Sequence, residues 1–170
     1  GVPWDWTGFA DYLGRIDGRV GPNIGILAGH STIRRLVMGE DATRRTCTAA
    51  ELDAMRALLR ASIEGGALGF SSSWGGAHRD AAGDPVPSRW ADADEVVALA
   101  AVCGEFPGTS LEFIPDTTNP SEWDRGLALT VRMSAAACRP LNWNVIRVSA
   151  ADRDTAFARL EAGTRAREQG

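Results

Sequence analysis

Thr48-Ala49-Ala50-Glu51, the helical run behind it, and Gly65-Gly66-Ala67-Leu68-Gly69-Phe70-Ser71-Ser72 hold the pattern on which the fold depends. The first four residues form a capping box, a Thr hydroxyl and a Glu three residues on that satisfy each other's backbone donors. Leu52, Met55, Leu58, Leu59 and Ile63 then recur on one face of a helix predicted to run to about Glu64. Gly65-Gly66 stops it, and Ala67 to Ser72 is short and largely apolar, as a strand buried on both faces should be.

The same handover recurs in both directions along the chain. Upstream, a helix is expected from about Thr7, as N-cap, to Ile16, then a buried strand over Asn23 to His30 and a short helix over Ser31 to Met38. Downstream, a Gly-, Pro- and Ser-rich loop spans about Ser73 to Ala91, and loops of that length are usually functional or disordered. Asp92-x-x-Glu95 caps a helix to about Cys103, and Thr109 to Ile114 is the third strand. Ser121 caps a helix to about Ala137, Pro140 to Ile146 is the fourth strand, and a helix from about Asp152 to Glu168 follows. Alternation of buried strand and amphipathic helix implies a parallel sheet with right-handed crossovers. The fold class is therefore α/β, with about four parallel β/α units over residues 1–170, either a small open sheet or part of a (β/α) TIM-type barrel.

Composition narrows the function. With 44% hydrophobic and 24% charged residues the chain is an ordinary globular sequence, and a net charge of −4 argues against nucleic-acid binding. No apolar run reaches the ~20 residues that span a bilayer. Cys47, Cys103 and Cys138 form no C-x-x-C pair, which fits reduced thiols and a cytoplasmic location. All 18 basic residues are arginine, so these residues supply no Schiff-base or P-loop lysine.

Functional groups in either architecture belong just beyond the C-terminal ends of the strands. His30 follows the first strand and can exchange hydrogen bonds with a substrate oxygen, or serve as a structural helix-start residue. Ser72 ends the second strand among Ser71 and Ser73, without the Gly-x-Ser-x-Gly of a nucleophile elbow. In the long loop, Trp74 offers an apolar wall, and His78 and Arg89 offer polar groups, Arg89 as a fork for a carboxylate. Glu112 sits inside the apolar strand Leu111-Glu112-Phe113-Ile114, where an unpaired carboxylate is costly. It can face a polar lumen, pair with an arginine or bind a metal. Asn142 and Asn144 share a face by the period of two, with Trp143 on the other. These eight residues are the expected substrate-binding set. No catalytic residue and no metal ligand is assigned, since His30 and His78 are the only histidines and are far apart in sequence.

Several stretches together resemble the N-acyl-D-amino-acid deacylase (D-aminoacylase) branch of the amidohydrolase superfamily. They are Gly1-Val2-Pro3-Trp4-Asp5-Trp6-Thr7-x-Phe9-x-x-Tyr12-Leu13, Gly29-His30-x-x-x-Arg34-x-x-Val37-Met38-Gly39, and Met55-Arg56-x-Leu58-Leu59 through Glu64-Gly65-Gly66-Ala67-Leu68-Gly69-Phe70-Ser71. The resemblance implies a (β/α) barrel hydrolase that uses zinc to activate water against an amide or N-acyl bond, and an internal fragment holding roughly the third to sixth strands. It places zinc in the intact parent, none in this chain alone, and a small-molecule acyl or amide substrate. The second half departs from it: where metal-binding histidines are expected at two strand ends, this chain has Leu111-Glu112-Phe113-Ile114-Pro115 and Asn142-Trp143-Asn144, and Trp74 to Arg89 replaces a Tyr-containing loop.

The leading expectation is the central segment of a metal-dependent amidohydrolase acting on a non-peptide C–N bond, inactive in isolation. The alternatives are a non-catalytic small-molecule-binding α/β domain, and a self-contained flavodoxin-like domain, which no Gly-rich phosphate loop supports. A partial barrel leaves two sheet edges open, so a homo-oligomer through those edges is expected, with neither nucleic acid nor membrane as partner.

Overall fold

A computed structural model describes residues 5–116, 122–144 and 153–168. The Thr48 capping box forms with both arms: the Glu51 N–H donates to Thr48 Oγ1 (3.3 Å) and the Thr48 N–H to the Glu51 carboxylate (2.7 Å). In chain order the elements are α1 (Phe9–Ile16), β1 (Ala28–Gly29), α2 (His30–Met38), α3 (Ala49–Glu64), β2 (Gly69–Ser73), α4 (Ala93–Cys103), β3 (Ser110–Ile114), α5 (Trp123–Ala137), β4 (Leu141–Trp143) and α6 (Arg153–Glu168). Short 3₁₀ turns at Gly39–Thr43 and Pro87–Trp90 complete the connections.

The strands form one parallel sheet in the order β1-β2-β3-β4. A doubly wound sheet reverses its strand order at a switch point, whereas a barrel adds each strand beside the last. The unbroken sequential order removes the flavodoxin-like alternative. Phe70, Leu111 and Phe113 point to one face and are fully buried with Met55 and Leu59 of α3, Val96 and Leu99 of α4, and Leu129 and Met133 of α5. Ser71, Glu112 and Asn142, in register across β2, β3 and β4, point to the other face and are half-buried or exposed. Helices thus cover one side of the sheet, and a polar row marks its open side.

Two glycines of the resembling motifs have steric reasons. A Cβ on Gly69 (φ +138) would lie 1.9 Å from the Ser110 carbonyl oxygen on the neighbouring strand. Gly39 (φ +58) ends α2 in a conformation that side chains rarely adopt.

Several boundaries differ from expectation. Thr7 does not cap α1: Gly8 is the N-cap without a side-chain bond, and the Thr7 N–H donates to Asp11 (3.0 Å). The first strand is much shorter than Asn23 to His30, because its neighbour β2 begins pairing only where the Leu68 N–H meets the Ile26 carbonyl (2.9 Å). Residues 21–25 are exposed, Ile24 among them. The long loop is more ordered than an irregular one: Arg79 bridges Pro85, and the Asp80 carboxylate accepts from the N–H groups of Ala82 and Asp84 (both 2.9 Å). Ser121, Val145, Ile146 and Asp152, expected at element ends, lie outside the described residues. Among the described residues, no helix is long and apolar enough to cross a membrane.

Candidate functional site

The expected substrate-binding residues separate onto two sides of the sheet. His30 opens α2 directly after β1, and Ser72 points from β2 toward the same helix layer. His30 is 1% exposed, packs against the Phe70 ring and uses both ring nitrogens, Nδ1 with Ser72 Oγ and Nε2 with Glu95 Oε1, each at 2.8 Å. The second Glu95 oxygen receives Arg34 Nη1, and Arg34 also donates to the carbonyls of Arg45 (2.8 Å) and Ala42 (3.3 Å). Arg34 is 0% and Glu95 1% exposed.

The charges of this cluster follow from its geometry. Burial pushes the Glu95 carboxyl up, but hydrogen bonds from His30 and Arg34, together with their charges, outweigh it and hold the carboxyl at about 2. Burial lowers the His30 pKa, against the opposing effect of Glu95. A neutral imidazole facing a carboxylate must donate from Nε2, which leaves Nδ1 to accept the Ser72 hydroxyl proton. The Cys47 thiol lies beside the same carboxylate, and burial, then the Glu95 hydrogen bond and charge, push it up to about 12. Ser, His and Glu are thus linked in series, and all three are buried. The cluster ties α2 and α4 to the sheet and fixes the 39–45 turn.

Sequence reasoning missed Arg34 and Glu95 as members of this cluster. His30 and Arg34 stand four residues apart on α2, the spacing that puts two side chains on one helix face. Glu95 was legible only as the end of a capping box. Asp92 does accept from the Glu95 N–H (2.8 Å), but the carboxylate turns inward instead of back to the cap, unlike Glu51. Ser31 and Ser88 were missed as well. Ser31 Oγ donates to Ser88 Oγ (3.1 Å) and Ser88 Oγ donates to the Ser73 carbonyl (2.8 Å), pinning the long loop to the sheet.

On the open side, Glu112 faces the amides of the adjacent strand. Asn142 Nδ2 donates to Oε2 and Asn144 Nδ2 to Oε1, each at 3.3 Å. The Asn144 N–H extends the ladder to the Phe113 carbonyl (3.1 Å). Trp143 takes the opposite face, as the period of two requires, and stacks on Trp123 of α5 at 5.1 Å. Trp74 also turns to the helix side, edge-on to Phe113 (5.7 Å) and under the Arg125 guanidinium (4.7 Å). Arg89 donates to the Gly76 carbonyl (3.3 Å) within the loop, and His78 is exposed near the loop tip. The structure therefore groups Glu112, Asn142 and Asn144, groups His30 with Ser72 elsewhere, and leaves Trp74, His78 and Arg89 apart from both.

Among the described residues, no group of three His, Cys, Asp or Glu side chains is placed to hold a metal ion. The donor chemistry explains this: His30 has both nitrogens engaged, His78 is alone, and the open face offers one carboxylate whose oxygens already accept from two amides. These residues do not fit a binuclear metal centre.

Comparison with known proteins gives structural neighbours of one kind. No family model matches the chain. Uncharacterized proteins of Mycobacterium tuberculosis and Mycobacterium bovis are 36% identical over 129 residues, which cover 68% of this chain. The chain spans 20% of the length of these curated relatives. Among solved structures, a D-aminoacylase described as having a binuclear metal centre matches with a TM-score of 0.62 at 26% identity, over 79% of this chain and 26% of its own. A zinc- and phosphonate-bound N-acyl-D-glutamate deacylase from Bordetella bronchiseptica matches with a TM-score of 0.70 at 24% identity, over 96% of this chain and 32% of its own. The sequential parallel sheet, the one-sided helical layer and these matches make the chain a partial (β/α) barrel similar in structure to D-aminoacylases, which are amidohydrolases.

Proposed function

We propose that the chain supplies one wall of the substrate pocket of a hydrolase acting on a non-peptide C–N bond, an N-acyl or amide bond. The observation that carries this reading is the polar row on the open side of the sheet, Ser71, Glu112, Asn142 and Asn144, on the surface a barrel encloses. A half-buried carboxylate with two amides, Asn144 just past the C-terminal end of β4, has the composition of a ligand-binding wall. The His30 cluster lies behind this wall and keeps the strand ends in place. Any metal ligands lie outside the described residues of this chain, and the chain by itself is inactive in this reading.

The test is hydrolysis of N-acetyl-D-amino acids by the full-length protein with zinc supplied, beside the isolated 170-residue chain. Turnover by the former alone supports the proposal. Ligand binding by the full-length protein without turnover of any N-acyl compound would replace it with a non-catalytic binding domain, and turnover at enzyme-like rates by the isolated chain would refute the incompleteness.

A further inference from the structure

Glu112 is the one acidic group in the polar row, and its surroundings determine what it can recognise. Among the described residues no cation pairs with it, and its protein partners are the amides of Asn142 and Asn144, one to each oxygen. An ionised carboxylate has about four acceptor positions, so two donors leave it capacity toward the open face. Both amides spend a donor on Glu112, and among the described residues no protein donor reaches either Oδ1. Ser71, in register with Glu112 on β2, adds a hydroxyl that can accept as well. The result is an acceptor-rich surface with one carboxylate that no described cation neutralises, held in orientation by the neighbouring strand.

We propose that Glu112, oriented by Asn142 and Asn144, is the specificity-determining residue of this wall and selects small molecules bearing an ammonium or guanidinium group over those bearing a second carboxylate. The proposal rests on the pocket-wall reading above. A cation placed against Glu112 gains a charge-assisted hydrogen bond, and the two Asn carbonyl oxygens accept its remaining N–H groups. A carboxylate in the same place meets a like charge, against which the row sets only neutral donors, the Ser71 hydroxyl and the second N–H of each Asn amide. Asn142 and Asn144 are positioning residues, since they act through the orientation of Glu112.

The experiment is calorimetric binding of N-acetyl-D-lysine, N-acetyl-D-leucine and N-acetyl-D-glutamate to the full-length protein, run beside turnover of the same compounds. The lysine compound should bind about 10- to 100-fold more tightly than the glutamate compound, the range of a hydrogen bond to a charged group. Glu112→Gln should bring the two within about threefold, and the preference should shrink as salt rises. Glu112→Asp keeps the charge and should keep the direction of the preference, which separates lost recognition from lost folding. Equal or tighter binding of the glutamate compound, a preference unchanged by Glu112→Gln, or no binding of any of the three would overturn the proposal. Tight binding of zinc chloride alone that Glu112→Gln abolishes would overturn it too, by making Glu112 a metal ligand. A cation preference without turnover leaves this site standing and removes the hydrolytic reading; turnover without a charge preference does the reverse.

Discussion

Replacing Glu95 with Gln should destabilise the fold through charge alone. The amide keeps the shape of the side chain, and it can keep both hydrogen bonds. If His30 moves its proton from Nε2 to Nδ1, the Gln amide donates to Nε2 while its carbonyl accepts from Arg34, and Ser72 accepts from Nδ1. What the variant cannot supply is a counter-charge for Arg34, which is 0% exposed. Removing one partner of a buried ion pair typically costs about 3–5 kcal/mol. Proton linkage gives a similar figure: a carboxyl brought from its ordinary 4.5 down to about 2 on folding contributes about 3 kcal/mol at neutral pH. With a urea dependence of about 1–3 kcal/mol per molar, the unfolding midpoint should fall by about 1–3 M. Because the folded-state pKa of Glu95 is depressed, its contribution is complete above 4.5 and is lost as pH falls toward about 2, where the folded carboxyl is itself protonated. The lowered pKa of His30 acts in the same direction from higher pH, since the unfolded imidazole takes up a proton below its ordinary 6.5 before the folded one does. Urea titrations of the parent chain and Glu95→Gln from pH 8 to pH 3 measure both effects, and the difference between the two chains should shrink below pH 4.5. Joint replacement of Arg34 by Met and Glu95 by Leu should recover much of the loss, since apolar substitution of a whole buried pair is often neutral. A midpoint change equivalent to less than about 1 kcal/mol in Glu95→Gln would refute the reasoning and place the pair among weakly coupled surface bridges.

Gly69→Ala should cost at least about 2 kcal/mol by thermal or urea unfolding, since it combines a positive φ with a contact the Ser110 backbone cannot yield. In native-state thiol titration at pH 8 the exposed Cys138 should react first. Cys47, with its thiol pushed up to about 12, should react slowly, and Cys103, fully buried and pushed up to about 11, should react only on unfolding. β1 and β4 each pair on one side only in the described sheet. The isolated chain should therefore self-associate through exposed edges, and a monodisperse monomer in light scattering would contradict this.

The order of helices and strands, the Thr48 cap, the α3 core face and the alternation of Asn142, Trp143 and Asn144 were legible in the chain because they depend on spacing along it. Local hydrogen bonding and the periods of helix and strand need no distant partner. Strand length at the sheet edge was not legible, since Asn23 to Gly25 can pair only where β2 supplies a ladder. The division of the candidate site was hidden for a related reason. His30 and Ser72 look like rim residues when read along their own strands, but register directs Ser72 to the helix layer and brings Glu95, 65 residues from His30, to its ring. A residue's neighbours along the chain fix which way its side chain points; only packing decides what it meets there. That is why the parallel α/β class could be read from the spacing of the sequence, whereas the sequential strand order of a barrel, the buried His30–Glu95–Arg34 cluster and the bonds of Asn142 and Asn144 to Glu112 emerged only from the fold.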